Sequence, residues 1–184
     1  MKDAQIRVLL KDSELQRYIS DSDSRVVDEL SLPVARARID IAVINGFLHG
    51  YEIKGASDTL NRLPSQLEAY QKVFDYVTVV TEDTHLEKVK KDIPSWVGIS
   101  ICSESSGISI YRKGLKNEAK QPFFVAQLLW KQEILDILIQ ERIPFKKSTR
   151  VWGLCELLAA NLEIEQLSQL VREKLKVRIN WKID

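Results

Sequence analysis

Cysteine is nearly absent from this chain of 184 residues: only Cys102 and Cys155 occur. They lie far apart and lack a Cys-x-x-Cys spacing, which excludes a cysteine-based zinc site and a disulfide framework and leaves them as buried free thiols. Histidine is equally scarce. His49 falls in a hairpin and His85 at a helix start, neither with a metal-ligand partner at a useful spacing, so both read as structural or exposed. No apolar run approaches the roughly 18 residues of a membrane span, and the first ten residues lack the pattern of a signal peptide. The expectation is a cytoplasmic protein that makes no membrane contact. Excess charge is also missing: 27 Lys and Arg stand against 26 Asp and Glu, a formal net charge of +1. Nonspecific nucleic-acid affinity comes mainly from neutralising phosphates, so any such contact must be local.

What is present is a chain with the means to fold. With 45% hydrophobic and 29% charged residues, it suits one globular domain or a core with an appended lobe, ordered almost throughout. Residues 3–19 place Ile6, Leu9 and Leu10 on one helical face, and the cluster 20–24 ends that helix. Residues 25–32 read as a strand closed by Pro33, residues 38–44 as a second and 48–54 as a third. Asn45-Gly46 signals a hairpin between the last two. Asp58 begins a helical segment that Pro64 opens or bends. The run Tyr-Val-Thr-Val-Val-Thr over 76–81 reads as a buried strand returning to the sheet.

The residues that carry chemistry sit on this frame. Asp40 lies on one hydrophobic strand, Glu52 and Lys54 on the next, and Gln66 and Tyr70 on the following helix. Two carboxylates can hold a hard divalent cation, and a lysine can align an attacking water. Glu52 and Lys54 are two apart on a strand and share one face, while Ile53 points to the other. That face is expected to look toward solvent and substrate. For Asp40 to join them, opposed residues in the hairpin must sum to 92, because directly opposed side chains point the same way. A two-residue loop would give 91. The sequence therefore predicts a three-residue loop, Asn45 to Phe47, or a bulge near Gly50. Gln66 and Tyr70, four apart, share a helix face. The competing reading is an exposed cross-strand charge cluster. Glu-x-Lys by itself carries little weight, since Glu118-Ala-Lys120 repeats it in a polar stretch with no strand or paired acid.

This pattern resembles the PD-(D/E)XK nuclease superfamily, restriction-endonuclease-like proteins, with the Gln-x-x-x-Tyr element of RecB-type members. Ile39 replaces the proline before the motif acid Asp40. The stretches around Arg38–Gly46, Gly50–Lys54 and Asp58–Leu63 are also similar to a bacterial family of small, mostly uncharacterised members. The resemblance implies an α/β (α+β) fold, a mixed central sheet flanked by helices, with a C-terminal all-helical extension. It divides the chain into a nuclease-like core, 1–112, and a helical region, 113–184, packed on it. It implies a Mg²⁺-dependent nuclease, Mn²⁺ substituting, that hydrolyses nucleic acid, DNA before RNA. Asp40, Glu52 and the backbone carbonyl of Ile53 would hold the metal, with Glu29 as a further candidate, and Lys54, Gln66 and Tyr70 would complete the catalytic set. The alternatives are a catalytically silent nucleic-acid-binding or scaffold module and an RNA-cleaving nuclease or toxin. A homodimer or a protein partner stays open.

From Gln121 onward the pattern is helical, over residues around 124–139, 151–162 and 164–177. Trp130 and Trp152 read as core aromatics between these helices. Arg36, Arg38 and Arg62 near the motif, and Lys146, Lys147 and Arg150 in one loop, are the candidates for nucleic-acid contact. A further basic set, Arg172, Lys174, Lys176, Arg178 and Lys182, reads as a solvated face or a gripping surface beside the site.

Overall fold

The computed structural model describes residues 1–179 and residue 181. Two short helices, α1 (Asp3–Asp12) and α2 (Gln16–Ile19), precede three strands, β1 (Arg25–Ser31), β2 (Arg38–Ile44) and β3 (Leu48–Lys54). Then follow α3 (Leu63–Gln71), β4 (Tyr76–Glu82), α4 (Leu86–Asp92), β5 (Gly98–Ser103) and β6 (Gly107–Arg112). Four helices complete the order: α5 (Pro122–Ala126), α6 (Lys131–Gln140), α7 (Val151–Asn161) and α8 (Ile164–Val177). The fold is mixed α/β with a helical C-terminal region.

One six-stranded sheet runs in the order β1-β2-β3-β4-β5-β6. The β1–β2, β2–β3 and β5–β6 pairs are antiparallel, and β3–β4 and β4–β5 are parallel. The parallel pairs follow from the crossovers: α3 returns the chain to β4 and α4 returns it to β5, as a parallel neighbour requires. Val77, Val79 and Val80 on β4 are all fully buried, the signature of a strand covered on both faces.

Two apolar clusters lie on the two faces of the sheet. The smaller joins Ile6, Leu10 and Leu15 to Ile41, Val43, Tyr51 and Ile53. The larger joins α3 and the C-terminal helices to Ala42, Ile44, Leu48 and Val79, and includes Leu154, Leu158, Leu167 and Leu175. Gly50 makes the second face possible, because a Cβ there would stand 3.1 Å from Ile39 and 3.2 Å from Phe74. The C-terminal helices are also tied by charge. Lys120 pairs with Asp75, Arg172 approaches Asp75 at 3.7 Å, and Asp75 accepts the Leu48 N–H at 2.7 Å. Lys120 of the second Glu-x-Lys is thus a buried structural ion rather than part of an exposed polar stretch.

Two aromatic expectations need correction. Trp152 is 60% exposed; its ring tilts against Phe123, with centroids 4.5 Å apart, and its indole N–H bonds Glu156 at 2.9 Å. Trp130 is half-buried and lies beneath the Arg178 guanidinium, 4.3 Å from the ring centroid. Neither is a fully enclosed core aromatic. Among the described residues no helix is long and apolar enough to cross a membrane.

Candidate functional site

The β2–β3 hairpin closes through Asn45, Gly46 and Phe47, and its register, Ile44↔Leu48 to Ile41↔Tyr51, sums to 92. That is the three-residue loop, the first of the two arrangements that parity allows, and not the bulge near Gly50. Asn45 shapes it by accepting the Phe47 N–H on its side chain at 2.9 Å while donating its own N–H to the Phe47 carbonyl at 3.0 Å.

The paired register stops at Ile41↔Tyr51, and the strands change character there. Ile41 packs on the α1 face, whereas Ile39, two residues away, packs on the other. On the neighbouring strand Val27 and Leu30 share one face although three apart, and Glu29 between them has φ 56°. Positive φ in a residue with a Cβ is strained, and such strain gathers at functional sites. A matched twist of β1 and β2 therefore frees Asp40 from simple alternation. Its Oδ2 accepts the Ile53 N–H at 2.7 Å, in place of a continuing ladder bond.

Glu52 and Lys54 project from the same face of β3 into a network of short polar contacts. Lys54 Nζ donates to Glu52 Oε1 at 2.7 Å and to Gln66 Oε1 at 3.1 Å. Gln66 Nε2 donates to Glu52 Oε1 at 2.7 Å, and the Tyr70 hydroxyl stands 2.7 Å from Glu52 Oε2 and 2.8 Å from the Arg38 carbonyl. One hydroxyl proton serves one of these acceptors at a time, and the carboxylate is the stronger. Burial first, and the Glu52 charge second, raise the tyrosine pKa, so Tyr70 remains a donor.

One expectation is revised. Glu52 is 2% and Lys54 7% exposed, so this pair forms the floor of a cleft rather than an open surface. Tyr70 is fully buried behind Glu52, and Gln66, at the cleft wall, clasps the same carboxylate, so these two position Glu52. The single cluster arises because β3 runs out beneath the first turns of α3, where Pro64 near the helix start fixes the entry.

The cleft above has a volume of about 760 Å³ and is lined by Asp40, Glu52, Ile53, Lys54 and Gln66 together with Arg36, Arg38 and Arg62. The three arginines are exposed. Glu29 also faces the cleft, but its carboxylate pairs with Arg38 at 3.2 Å and does not join Asp40 and Glu52. Lys146, Lys147 and Arg150 are exposed in the loop before α7 and do not line the cleft. Arg172, Lys174, Lys176 and Arg178 hold Asp75, Asp136, Asp23 and Glu133, which binds them to the fold rather than to a gripping surface. Lys182 lies outside the described residues.

The structure adds Arg7 of α1. Its guanidinium donates to the Asp40 carbonyl at 2.7 Å and meets Asp40 Oδ1 at 3.4 Å, with Asp3 and Asp28 at 3.4 and 3.3 Å. A polar position between Ile6 and Leu10 was the only available signal. Asp40 itself is pushed up to about 6, by burial first and then by repulsion from Glu52. A carboxyl whose proton affinity is raised by burial and by a neighbouring carboxylate marks a site short of positive charge.

The donor set suits a hard divalent cation. A carboxylate offers about four lone-pair positions. Glu52 Oε1 takes two hydrogen bonds, but Oε2 takes one, and Asp40 Oδ1 takes only the long contact to Arg7. Those oxygens, with the Ile53 carbonyl beyond the end of the paired register, are the oxygen ligands that Mg²⁺ prefers, the remaining positions falling to water and substrate. Among the described residues no three His, Cys, Asp or Glu side chains converge as a cluster, so such a site rests on two carboxylates.

The family model described as Bacteriophage P4 protein cII matches residues 1–182. Protein cII of Enterobacteria phage P4 is 31% identical over 160 residues, covering 85% of this chain and 60% of the phage protein. The chain thus spans about three fifths of that relative's length. The SPO1766 protein of unknown function from Silicibacter pomeroyi is 11% identical, with 73% of this chain and 92% of that one covered at a TM-score of 0.44. That likeness bears on neither fold nor function.

Proposed function

This chain belongs to the bacteriophage P4 protein cII family, and we propose that it acts as a divalent-metal-dependent nuclease of the PD-(D/E)XK kind. The observation that carries the reading is the convergence of Asp40, Glu52, Lys54 and Gln66 on one arginine-rimmed cleft, with Tyr70 buried behind Glu52. Five residues drawn from two strands and a helix meet in this cluster, and a random surface charge cluster would not require Tyr70 and Gln66 to clasp one buried carboxylate.

Asp40 Oδ1, Glu52 Oε2 and the Ile53 carbonyl would hold Mg²⁺ or Mn²⁺. When bound, the cation supplies charge that polarises a phosphoryl oxygen and makes a water more acidic. Gln66 and Tyr70 hold Glu52 in one rotamer, so its carboxylate would meet a cation without reorganisation. Lys54, 2.7 Å from Glu52, is placed to orient the attacking water and to neutralise charge building on the phosphate. Arg36, Arg38 and Arg62 offer the scissile strand positive contacts along the rim. Arg7 fixes Asp40 through its backbone carbonyl and keeps α1 seated against the site.

DNA is the favoured polymer. Incubation with linear, circular and single-stranded DNA and with RNA, each with Mg²⁺, Mn²⁺ or EDTA, tests the reading. Cleavage of DNA that EDTA abolishes is expected. Preferential cleavage of RNA would move the proposal to a ribonuclease, and binding without cleavage under every metal would make the chain a nucleic-acid-binding module.

A further inference from the structure

On the opposite face of the sheet from Glu52, at the far end of β3, lies a second cavity of about 420 Å³. Its size falls within the roughly 300–1,000 Å³ of small-molecule sites. The helix α1 ends at Asp12 with Leu10 as its last buried residue, and beyond it the chain turns through Glu14 and Leu15 into α2, leaving side chains of β3, β4 and β5 as a floor. That floor is aromatic. His49 stacks on Tyr51 with centroids 4.2 Å apart, Tyr76 meets His49 at 5.8 Å, and Phe47 stands edge-on to Tyr76 at 5.3 Å.

The polar groups are few and convergent. The Glu14 carboxylate accepts the Tyr51 hydroxyl at 3.2 Å on one oxygen and the Ser100 hydroxyl at 3.3 Å on the other. Both bonds are long, and each oxygen keeps a lone pair for a ligand. His49 bonds Thr78 at 2.9 Å and is held neutral, its pKa lowered to about 3 by burial and secondarily by Arg17. Arg17 and Lys113 stand on the rim. Aromatic walls favour a planar ring, a rim of cations favours an anion, and one acceptor-only carboxylate with two open oxygens favours two adjacent donors. Among the nucleobases only guanine presents two adjacent N–H donors, N1–H and the 2-amino group, on its pairing edge. Adenine and cytosine set an acceptor beside the amino group, and uracil flanks its single N–H with carbonyls.

We infer that this cavity binds a guanine ring bearing a phosphate, with Glu14 reading the pairing edge, Phe47 stacking the ring, Tyr76 and His49 packing against its edges, and Arg17 and Lys113 meeting the phosphate. The inference is independent of the nuclease reading, because none of these residues touches the Asp40 cleft. The same chemistry reaches the cavity as a free nucleotide or as the guanine end of a nucleic acid.

Titration calorimetry of the full chain with GMP, AMP, CMP and UMP, and with 5′-phosphorylated single strands beginning in dG or dA, distinguishes these sources. Saturable binding of GMP, about tenfold or more tighter than the other three, is expected from one bidentate pair. Glu14→Gln should remove that preference, and Phe47→Ala, at an exposed position, should weaken binding about tenfold through lost stacking. Binding of the dG strand alone, with the same sensitivity to Glu14→Gln, assigns the guanine of a strand end as the ligand. Binding that survives Glu14→Gln, equal binding of all four nucleotides, or no saturable binding by GMP and the dG strand would overturn the assignment.

Discussion

Replacing Lys54 with Met puts the buried heart of the site under the most direct stress. The change keeps side-chain length and removes the charge, leaving Glu52, 2% exposed, with Gln66 and Tyr70 as its remaining partners. Breaking a buried pair by deleting one member costs about 3–5 kcal/mol, because the surviving charge stays desolvated. The two retained hydrogen bonds place the expected loss near the lower figure, about 3 kcal/mol. Glu52→Gln removes the charge that causes the penalty, so the double variant Glu52→Gln/Lys54→Met should be less destabilised than the two single losses sum to, by about 1–3 kcal/mol. Urea denaturation of the four proteins at pH 7, followed by circular dichroism with a common m-value, measures this cycle. A Lys54→Met variant within about 0.5 kcal/mol of the wild type would refute the reasoning, since changes of that size are typical of exposed sites. Burial thus sets Glu52 apart from an exposed carboxylate, whose loss would spare the fold.

Other outcomes follow from the same geometry. Asp40, raised to about 6, binds a proton more tightly folded than unfolded, so without metal its contribution to stability declines as pH rises from about 4 to 6 and stays lost above. Relative to the wild type, Asp40→Asn should therefore gain up to about 3 kcal/mol between pH 4 and pH 8, read by urea melts across that range. Tyr70→Phe deletes one hydrogen bond to a buried carboxylate and should lower stability by about 1.5–3 kcal/mol, with less loss of cleavage than Asp40→Asn causes, as melts and single-turnover assays will show. If Arg36 and Arg38 meet phosphates, changing both to Ala should reduce the salt slope of duplex DNA affinity by about 1.8, whereas the triple change at Lys146, Lys147 and Arg150 should leave it unaltered.

The strands and the hairpin were legible because their signals are local. Arg38–Ile44 and Leu48–Lys54 are bounded by residues with strong turn or strand preferences, and the Asn45–Phe47 loop is one of the two arrangements that parity allowed for Asp40 to join Glu52 and Lys54. Strands β5 and β6 were not read, since Gly98–Ser103 and Gly107–Arg112 each offer only a short Ile-Ser-Ile run, and β6, at the sheet edge, leaves Ile110 and Tyr111 exposed. Burial of Glu52 and Lys54 was invisible for a related reason: it depends on α3 folding back over the end of β3, a contact between distant segments. Arg7 could not be placed because nothing in α1 says which strand it faces. The same limit applies to Trp152, whose apolar bulk suggests a core but whose helix turns it toward Phe123 and Glu156 at the surface.

Cleavage of linear double-stranded and single-stranded DNA in Mg²⁺ by the wild type and by Asp40→Asn tests the central claim most directly, because that substitution is expected to leave the protein folded. The account predicts EDTA-sensitive cleavage by the wild type and none by a folded Asp40→Asn variant; cleavage at equal rates by both would contradict it.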